Sequence, residues 1–380
     1  MPATTQLPNV LDAKKTYLIQ LDGLRFIAVT LVMFDHWLGE INPLPLGFFG
    51  VNLFFVLSGF LITRILITSK QRDAQLGRSH SRSLKAFYIR RNLRIFPVYY
   101  LTILGLAAVG FPAVREHLGW LLTYTTNLWI VINQTWLGAI DHLWSLAVEE
   151  QYYLFFPFLI FFIPDRLVLP VLFGMIGLSV GLRVILFAMH APWVAQFVLM
   201  PTCLDAFGMG GLLAWLLVYR PEQFGRILRN NGFFLLSFAL YAINLYLYKT
   251  LPGNAEHRNV ATEVTDRFFT SVFCFFLIGR AVVGFSGPTK WLLEHPVSQY
   301  LGRISYGLYL FHNLIFNFYH TPPTFITLRI WDKAGQFLPL LADAPGLRLA
   351  YFYALTVGLA MLSWQLIEKP VNGLKDRFSY

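Results

Sequence analysis

Apolar runs long enough to cross a bilayer recur along this chain of 380 residues, and they limit its fold more than any other feature. Hydrocarbon offers the backbone no hydrogen-bond partners, so a segment that spans it must be a helix or part of a closed barrel. Runs of about 20 apolar residues suit a helix crossing a core about 30 Å thick. Only 13% of the residues are charged, against about a quarter in a typical soluble domain. The chain therefore reads as all-α: a polytopic transmembrane helical bundle with no room for a sizeable soluble domain.

Ten spans are expected, at about Leu21–Trp37, Phe48–Ile67, Ile95–Phe111, His142–Ile163, Leu167–Phe187, Val194–Tyr219, Phe233–Leu251, Phe268–Phe285, Tyr300–Tyr319 and Arg348–Ile367. A Trp- and Thr-rich stretch, His117–Asn133, reads as a re-entrant or interfacial helix. Charge orients the bundle. Lys14 and Lys15 precede the first span, and the most basic loop, Lys70–Arg94, follows the second. Of the 30 Lys and Arg, seven fall in the expected outer loops (Arg115, Lys249, Arg258, Arg267, Arg329, Lys333 and Arg348), and Arg25 and Arg183 fall inside spans. The rest are inner, so the positive-inside rule puts both termini in the cytoplasm. Residues 1–16 are then a cytoplasmic segment, 17–368 the transmembrane domain and 369–380 a cytoplasmic tail. The formal charge of +10 would suggest nucleic acid for a soluble protein; here its distribution across loops explains it, and no nucleic-acid partner is expected. Cys203 and Cys274 sit in apolar surroundings and suggest neither a disulfide framework nor a zinc site, and no metal is expected.

Four clusters put chemistry inside this apolar frame. The first span, LDGLRFIAVTLVMFDHW, carries Asp22, Arg25, Asp35 and His36. Charge at membrane depth costs a few kcal/mol per group, so such groups usually face an interior and mark function. Arg25 and His36 are eleven residues apart, close to three helical turns, so they share a face about 16 Å apart along the axis. The bland alternative is a snorkelling Arg and an interfacial His. His36 suits a general base, because neutral imidazole takes a proton near neutral pH. Asp35 lies about 100° from it and is no obvious orienting partner.

The second cluster is Arg91 and Arg94 in FYIRRNLRIFPVYY, three residues apart on one helix face at the inner mouth of a span. Such a guanidinium pair can grip phosphates bidentately or simply anchor the inner loop. The third is Glu149–Glu150 in HLWSLAVEEQYYLFF; one is expected to face the interior and the other to sit nearer the interface, as an ion-pair or substrate-orienting group. The fourth is LGRISYGLYLFHN, where Ser305, Tyr309 and His312 follow i, i+4, i+7 spacing along one face. A nucleophilic Ser–His pairing and ordinary helix packing are both open there. Asp22 and Asp35, with Ser305, Tyr309 and His312, are candidates to line an acceptor path or pore. The chain has no GxSxG, Walker loop or HExxH.

Together these stretches resemble the acyltransferase 3 family of integral membrane proteins, over nearly the whole chain. That family carries an Arg, ten residues and a His in its first span, here Arg25 and His36, and a later R-x-x-R, here Arg91 and Arg94. FFGVNLFFVLSGFLIT, LWSLAVEEQYYLFFP and ISYGLYLFH also look like its pattern. The resemblance implies an acyl-CoA-dependent O-acyltransferase of the bacterial cytoplasmic membrane. It would move an acyl group, commonly acetyl, from cytoplasmic acyl-CoA to a hydroxyl of a carbohydrate or glycan, such as O-antigen, peptidoglycan or exopolysaccharide. It also implies His36 in acyl transfer, as base or transient acyl carrier, with Arg91 and Arg94 near the donor. Arg25, Glu149 and Glu150 complete the candidate catalytic set. The resemblance is to the single-domain type, without the SGNH hydrolase-like extension of some relatives, so transfer is expected within the membrane domain. A secondary transporter, or a carrier or flippase feeding a separate transferase, remains the alternative.

Overall fold

The computed structural model describes residues 17–253, 258–338 and 344–378. Lys14 and Lys15, and Asn254 of the expected outer loop, lie outside them. Among the described residues there is no strand. The helices that cover the expected spans run Ile19–Leu38 (α1), Leu46–Gln75 (α2), Ser81–Ala108 (α3), Leu143–Phe162 (α4), Asp165–Ala188 (α5), Leu204–Tyr219 (α6), Asn231–Thr250 (α7), Asp266–Val283 (α8), Ser305–Ile315 (α9) and Pro345–Ser363 (α10), with shorter helices between them.

Among the described residues, five helical stretches are long and apolar enough to cross a membrane: Leu46–Gln75, Asp165–Ala188, Met200–Tyr219, Asn231–Thr250 and Pro345–Arg377. A sixth counts if Ala261–Val283 and Gly287–Glu294, bent by 84°, form one broken span. The protein is thus a helical membrane protein. The expected segments that fall outside this set are those with polar content or breaks: α1 carries Asp22, Arg25 and Asp35, α3 carries Lys85, Arg90, Arg91 and Arg94, α4 carries Glu149 and Glu150, and α9 is short.

Two expected single helices are divided. The stretch from Val194 to Tyr219 breaks into Trp193–Val198, a 3₁₀ turn Met200–Cys203 and α6. Pro201 lies at the break; it has no N–H to donate, and it disfavours a helical residue before it. Tyr300–Tyr319 likewise divides at Ile304 into Pro296–Arg303 and α9, and helix ends at Ile315. The Trp-rich stretch His117–Asn133 holds two short helices, Leu118–Leu122 and Thr126–Asn133. Arg267, expected in a loop, is buried in the first turn of α8, where it donates to Asn52 Oδ1 (2.8 Å) and the Phe197 carbonyl (2.7 Å).

The central helix is α2, packed most heavily on α6 and then on α1. Glycine permits the α2–α6 approach. A Cβ on Gly59 would lie 2.2 Å from the Phe207 carbonyl oxygen, and one on Gly210 only 2.1 Å from that of Val56. Small residues at such crossings let backbones meet where lipid removes the hydrophobic drive for helix association. Beside this seam Arg183 of α5 is buried against Asp205 of α6 at 2.5 Å, and also donates to the carbonyls of Val264 and Thr202. A charge so placed needs every donor satisfied, and this one is satisfied from three directions.

Candidate active site

α1 and α9 meet side by side near the end of the bundle where α1 finishes, and a pair of histidines joins them. His36 Nδ1 lies 2.9 Å from His312 Nε2, with the rings stacked at 5.0 Å. His312 is fully buried; His36 is half-buried. The proton positions follow from the partners. His312 Nδ1 is 2.6 Å from the Tyr309 carbonyl, which only accepts, so Nδ1 carries the proton. In the neutral ring Nε2 is then an acceptor, and His36 must donate to it from Nδ1. The Nε2 of His36 is left with its lone pair. A neutral His36 is held in the tautomer a base or nucleophile requires.

Several residues that sequence reasoning did not single out surround this dyad. His142, whose ring is 4.8 Å from that of His312, donates through Nε2 to the Leu310 carbonyl (3.2 Å) and accepts at Nδ1 from Asn313 (3.1 Å). Asn313 also donates to Asp141 (2.9 Å), which lies 3.1 Å from His320 Nε2. The Trp37 indole donates to the His312 carbonyl, and the Phe318 N–H to that of His36. The signal was present: His142 opens the HLWSLAVEE stretch and Asn313 follows His312, but neither has a partner within its own helix that spacing could reveal.

Below the dyad lies a cavity of about 230 Å³ among α1, α2, α3, α4 and α9. Its walls include Arg25, Arg91, Arg94, Glu149, Glu150, Ser305 and Tyr309. Six of the candidate catalytic and donor-binding positions are therefore split between two places: His36 with the second histidine above, and the other five around this space. Arg25 pairs with Asp22, which also accepts from the Tyr17 hydroxyl. The Arg91 guanidinium lies 3.8 Å over the Tyr153 ring. Arg94 is exposed and borders the cavity.

Both glutamates face the cavity, which corrects the expectation that one would turn towards the interface. Neighbours 100° apart on a helix can share one space when it is as wide as this one. Glu149 accepts from Ser58 (2.6 Å), whose Oγ accepts from Tyr153 (2.8 Å). Glu150 Oε1 is buried without a hydrogen-bond partner. Such an atom is an opening for a donor brought by a ligand.

The Tyr309 hydroxyl is 2.6 Å from Ser145 Oγ, and Tyr309 borders the cavity while its ring lies 5.5 Å from that of His312, so this residue stands between the cavity and the histidines. Ser305 borders the cavity one turn below Tyr309. His312 spends both ring nitrogens on Tyr309 and His36, so it makes no Ser–His nucleophile with Ser305. Asp35 turns away from the dyad, accepts from Asn42 at 2.8 Å, and borders a second cavity at the end of the bundle. Among the described residues no cluster of three metal-ligating side chains forms.

Comparison with known proteins agrees in one direction. An inferred O-acetyltransferase of Staphylococcus aureus strain MRSA252 is 28% identical over 97% of this chain and 60% of its own length. The O-acetyltransferase OatA of Staphylococcus aureus strain NCTC 8325 is 28% identical over 94% of this chain and 57% of its own. The chain thus spans about 60% of the length of these curated relatives. No solved structure matches it. The acyltransferase domain of the acyltransferase 3 family matches residues 18–367, almost all of the chain, and the protein belongs to that family.

Proposed function

We propose that the protein is a membrane O-acyltransferase that moves an acetyl group from cytoplasmic acyl-CoA to a hydroxyl of a carbohydrate, in the bacterial cytoplasmic membrane. The observation that carries this reading is the His36–His312 pair standing above an arginine-lined cavity. The acyltransferase family and the O-acetyltransferase names of the relatives supply the reaction class. Ten spans with both termini inside would set the cavity's arginines towards the cytoplasm and the dyad towards the outside, as the basic loops favour.

The cavity suits a thioester donor. Arg91 and Arg94 meet its phosphates at the inner mouth. Glu150 Oε1, buried without a partner, accepts an amide N–H of the pantetheine arm. Arg25 lies in the cavity with the donor and about 16 Å along α1 from His36, which makes it a donor-positioning group rather than an oxyanion donor beside the base.

In the reaction, the acceptor hydroxyl gives its proton to His36 Nε2 as its oxygen attacks the thioester carbonyl. The C–O bond forms, the C–S bond breaks, and the thiolate takes a proton back from the imidazolium. His312 Nε2 accepts from His36 Nδ1 throughout and shares the charge that appears on the ring. If an acyl-imidazole bridges donor and acceptor, the same Nε2 is the nucleophile. The test is turnover by the purified protein in nanodiscs with acetyl-CoA and a glycan acceptor. Free thiol released in step with acetylated glycan, and lost in His36→Gln, supports the enzyme. Binding of acetyl-CoA with no thioester cleavage would make the protein a carrier.

A further inference from the structure

The second cavity, of about 360 Å³, is separate from the one holding Arg91 and Arg94. It sits where α1, α5 and α7 finish and α2 and α8 begin, so it opens at the end of the bundle opposite the start of α3. Its size falls in the range of small-molecule sites.

Its walls combine rings with fixed polar groups. Trp193 packs edge-on against Phe197, which stacks on Phe48, and Tyr248 and Tyr319 complete the aromatic side. Arg258 lies 3.6 Å over the Trp193 ring. Opposed to these are the carboxylates of Asp35, Glu263 and Asp266 and the guanidinium of Arg267. The Arg183 charge is already met by Asp205. With acids and bases this close to balance, neither a polyanion nor a polycation is selected. Gln196 is 2% exposed, and its amide N–H is donated to Glu263, so Oε1 is fixed as an acceptor. That Oε1 has no hydrogen-bond partner. The site asks for an uncharged ligand with an apolar face for the rings and hydroxyls that both give and accept, which is the chemistry of a pyranose.

The cavity does not include His36. Asp35 borders it while His36, the next residue, turns about 100° away to His312. Tyr319 borders it too, and the N–H of the preceding Phe318 is held by the His36 carbonyl. The two places adjoin through the last turn of α1 but open on different sides of it. We infer that this cavity is a distal saccharide subsite, and that the acceptor is a glycan of two or more linked sugars, one seated against Trp193 and Gln196 while a neighbouring unit offers its hydroxyl to His36. This rests on the proposed acyl transfer to a carbohydrate for its role, though not for binding itself.

Binding is therefore measured apart from transfer, on the His36→Gln protein in nanodiscs without donor. The probes are β-1,4-linked N-acetylglucosamine oligomers and maltooligosaccharides of one to six units, followed by calorimetry and Trp fluorescence. In at least one series, oligomers should bind about tenfold or more tighter than the monosaccharide. Gln196→Leu, close in volume and without the acceptor, should weaken the oligomer about tenfold, the scale of one hydrogen bond lost to a bound polar group. Asp35→Asn, isosteric and at the cavity edge, is the second variant should Gln196→Leu fold poorly, with the same expected direction. Length-dependent binding in His36→Gln, together with no acetyl transfer by the parent protein that keeps His36, would retain the subsite and remove the enzymatic reading. Affinity independent of length, affinity unmoved by either variant, or no binding in either series overturns the proposal.

Discussion

Replacing His312 separates an orienting partner from a packing residue. In His312→Leu the ring gives way to an apolar side chain, and His36 Nδ1 loses its acceptor at 2.9 Å. A hydrogen bond between neutral groups is worth about 0.5–1.5 kcal/mol net, and one to a charged group about 1.5–3 kcal/mol. His36 is neutral before it takes the acceptor proton and charged afterwards, so only the difference, about 1–1.5 kcal/mol, is specific to the transition state. At 1.36 kcal/mol per tenfold that is a fall in kcat of about 5- to 13-fold, with added loss from the freed tautomer. His312→Gln places an amide oxygen where Nε2 was and can accept from His36, so it should recover most of the activity. The assay is single-turnover acetyl transfer in nanodiscs at saturating acetyl-CoA, alongside thermal unfolding, because His312 is fully buried. Activity in His312→Leu within threefold of the parent, at equal folded protein, would refute the dyad. Equal loss in Leu and Gln that tracks stability would reduce His312 to packing.

His36→Gln, which keeps polarity and reach but has no basic nitrogen, should lose at least two orders of magnitude in transfer, since general-base help alone is typically worth 10²–10⁴-fold; retained turnover would exclude His36 as base and as carrier. Replacing Arg91 and Arg94 together by Ala should weaken acetyl-CoA binding in folded protein, and Lys at both should restore it only in part, because ammonium lacks the bidentate fork. Unchanged donor affinity would leave the two as inner-loop anchors. A reporter fused after Tyr380 should behave as cytoplasmic and one at Asn254 as external; the opposite result at Asn254 would break the proposed span count after α4. Gly59→Leu should fail to assemble α2 on α6, because even a Cβ there lies 2.2 Å from the Phe207 carbonyl oxygen. Overpacking of this kind costs about 1–3 kcal/mol, occasionally more, and thermal unfolding in detergent measures it.

Much of this site was readable within single helices and little of it between them. Eleven-residue spacing put Arg25 and His36 on one face of α1, and i, i+4, i+7 spacing put Tyr309 and His312 on one face of α9. Neither periodicity says that the two faces meet, because His36 and His312 are 276 positions apart. Their contact depends on where α9 begins and ends, and the break at Ile304 falls inside what reads as a single span. Pro201 divided another such run for the same reason: apolarity reports a preference for lipid or core, and says nothing of whether the backbone continues. The helices that carry chemistry are also those whose apolarity is weakest, which explains their place in the bundle. α7, with Leu235, Phe238 and Ile243 exposed, can face hydrocarbon without penalty. α1 cannot, since Asp22, Arg25 and Asp35 would each cost a few kcal/mol there, and it is enclosed by α2, α8, α9 and the helices Gly287–Glu294 and Pro296–Arg303. Enclosure removes that cost and also brings helices distant in sequence against its polar face. The physics that hides His36 from lipid is thus what delivers His312 to it.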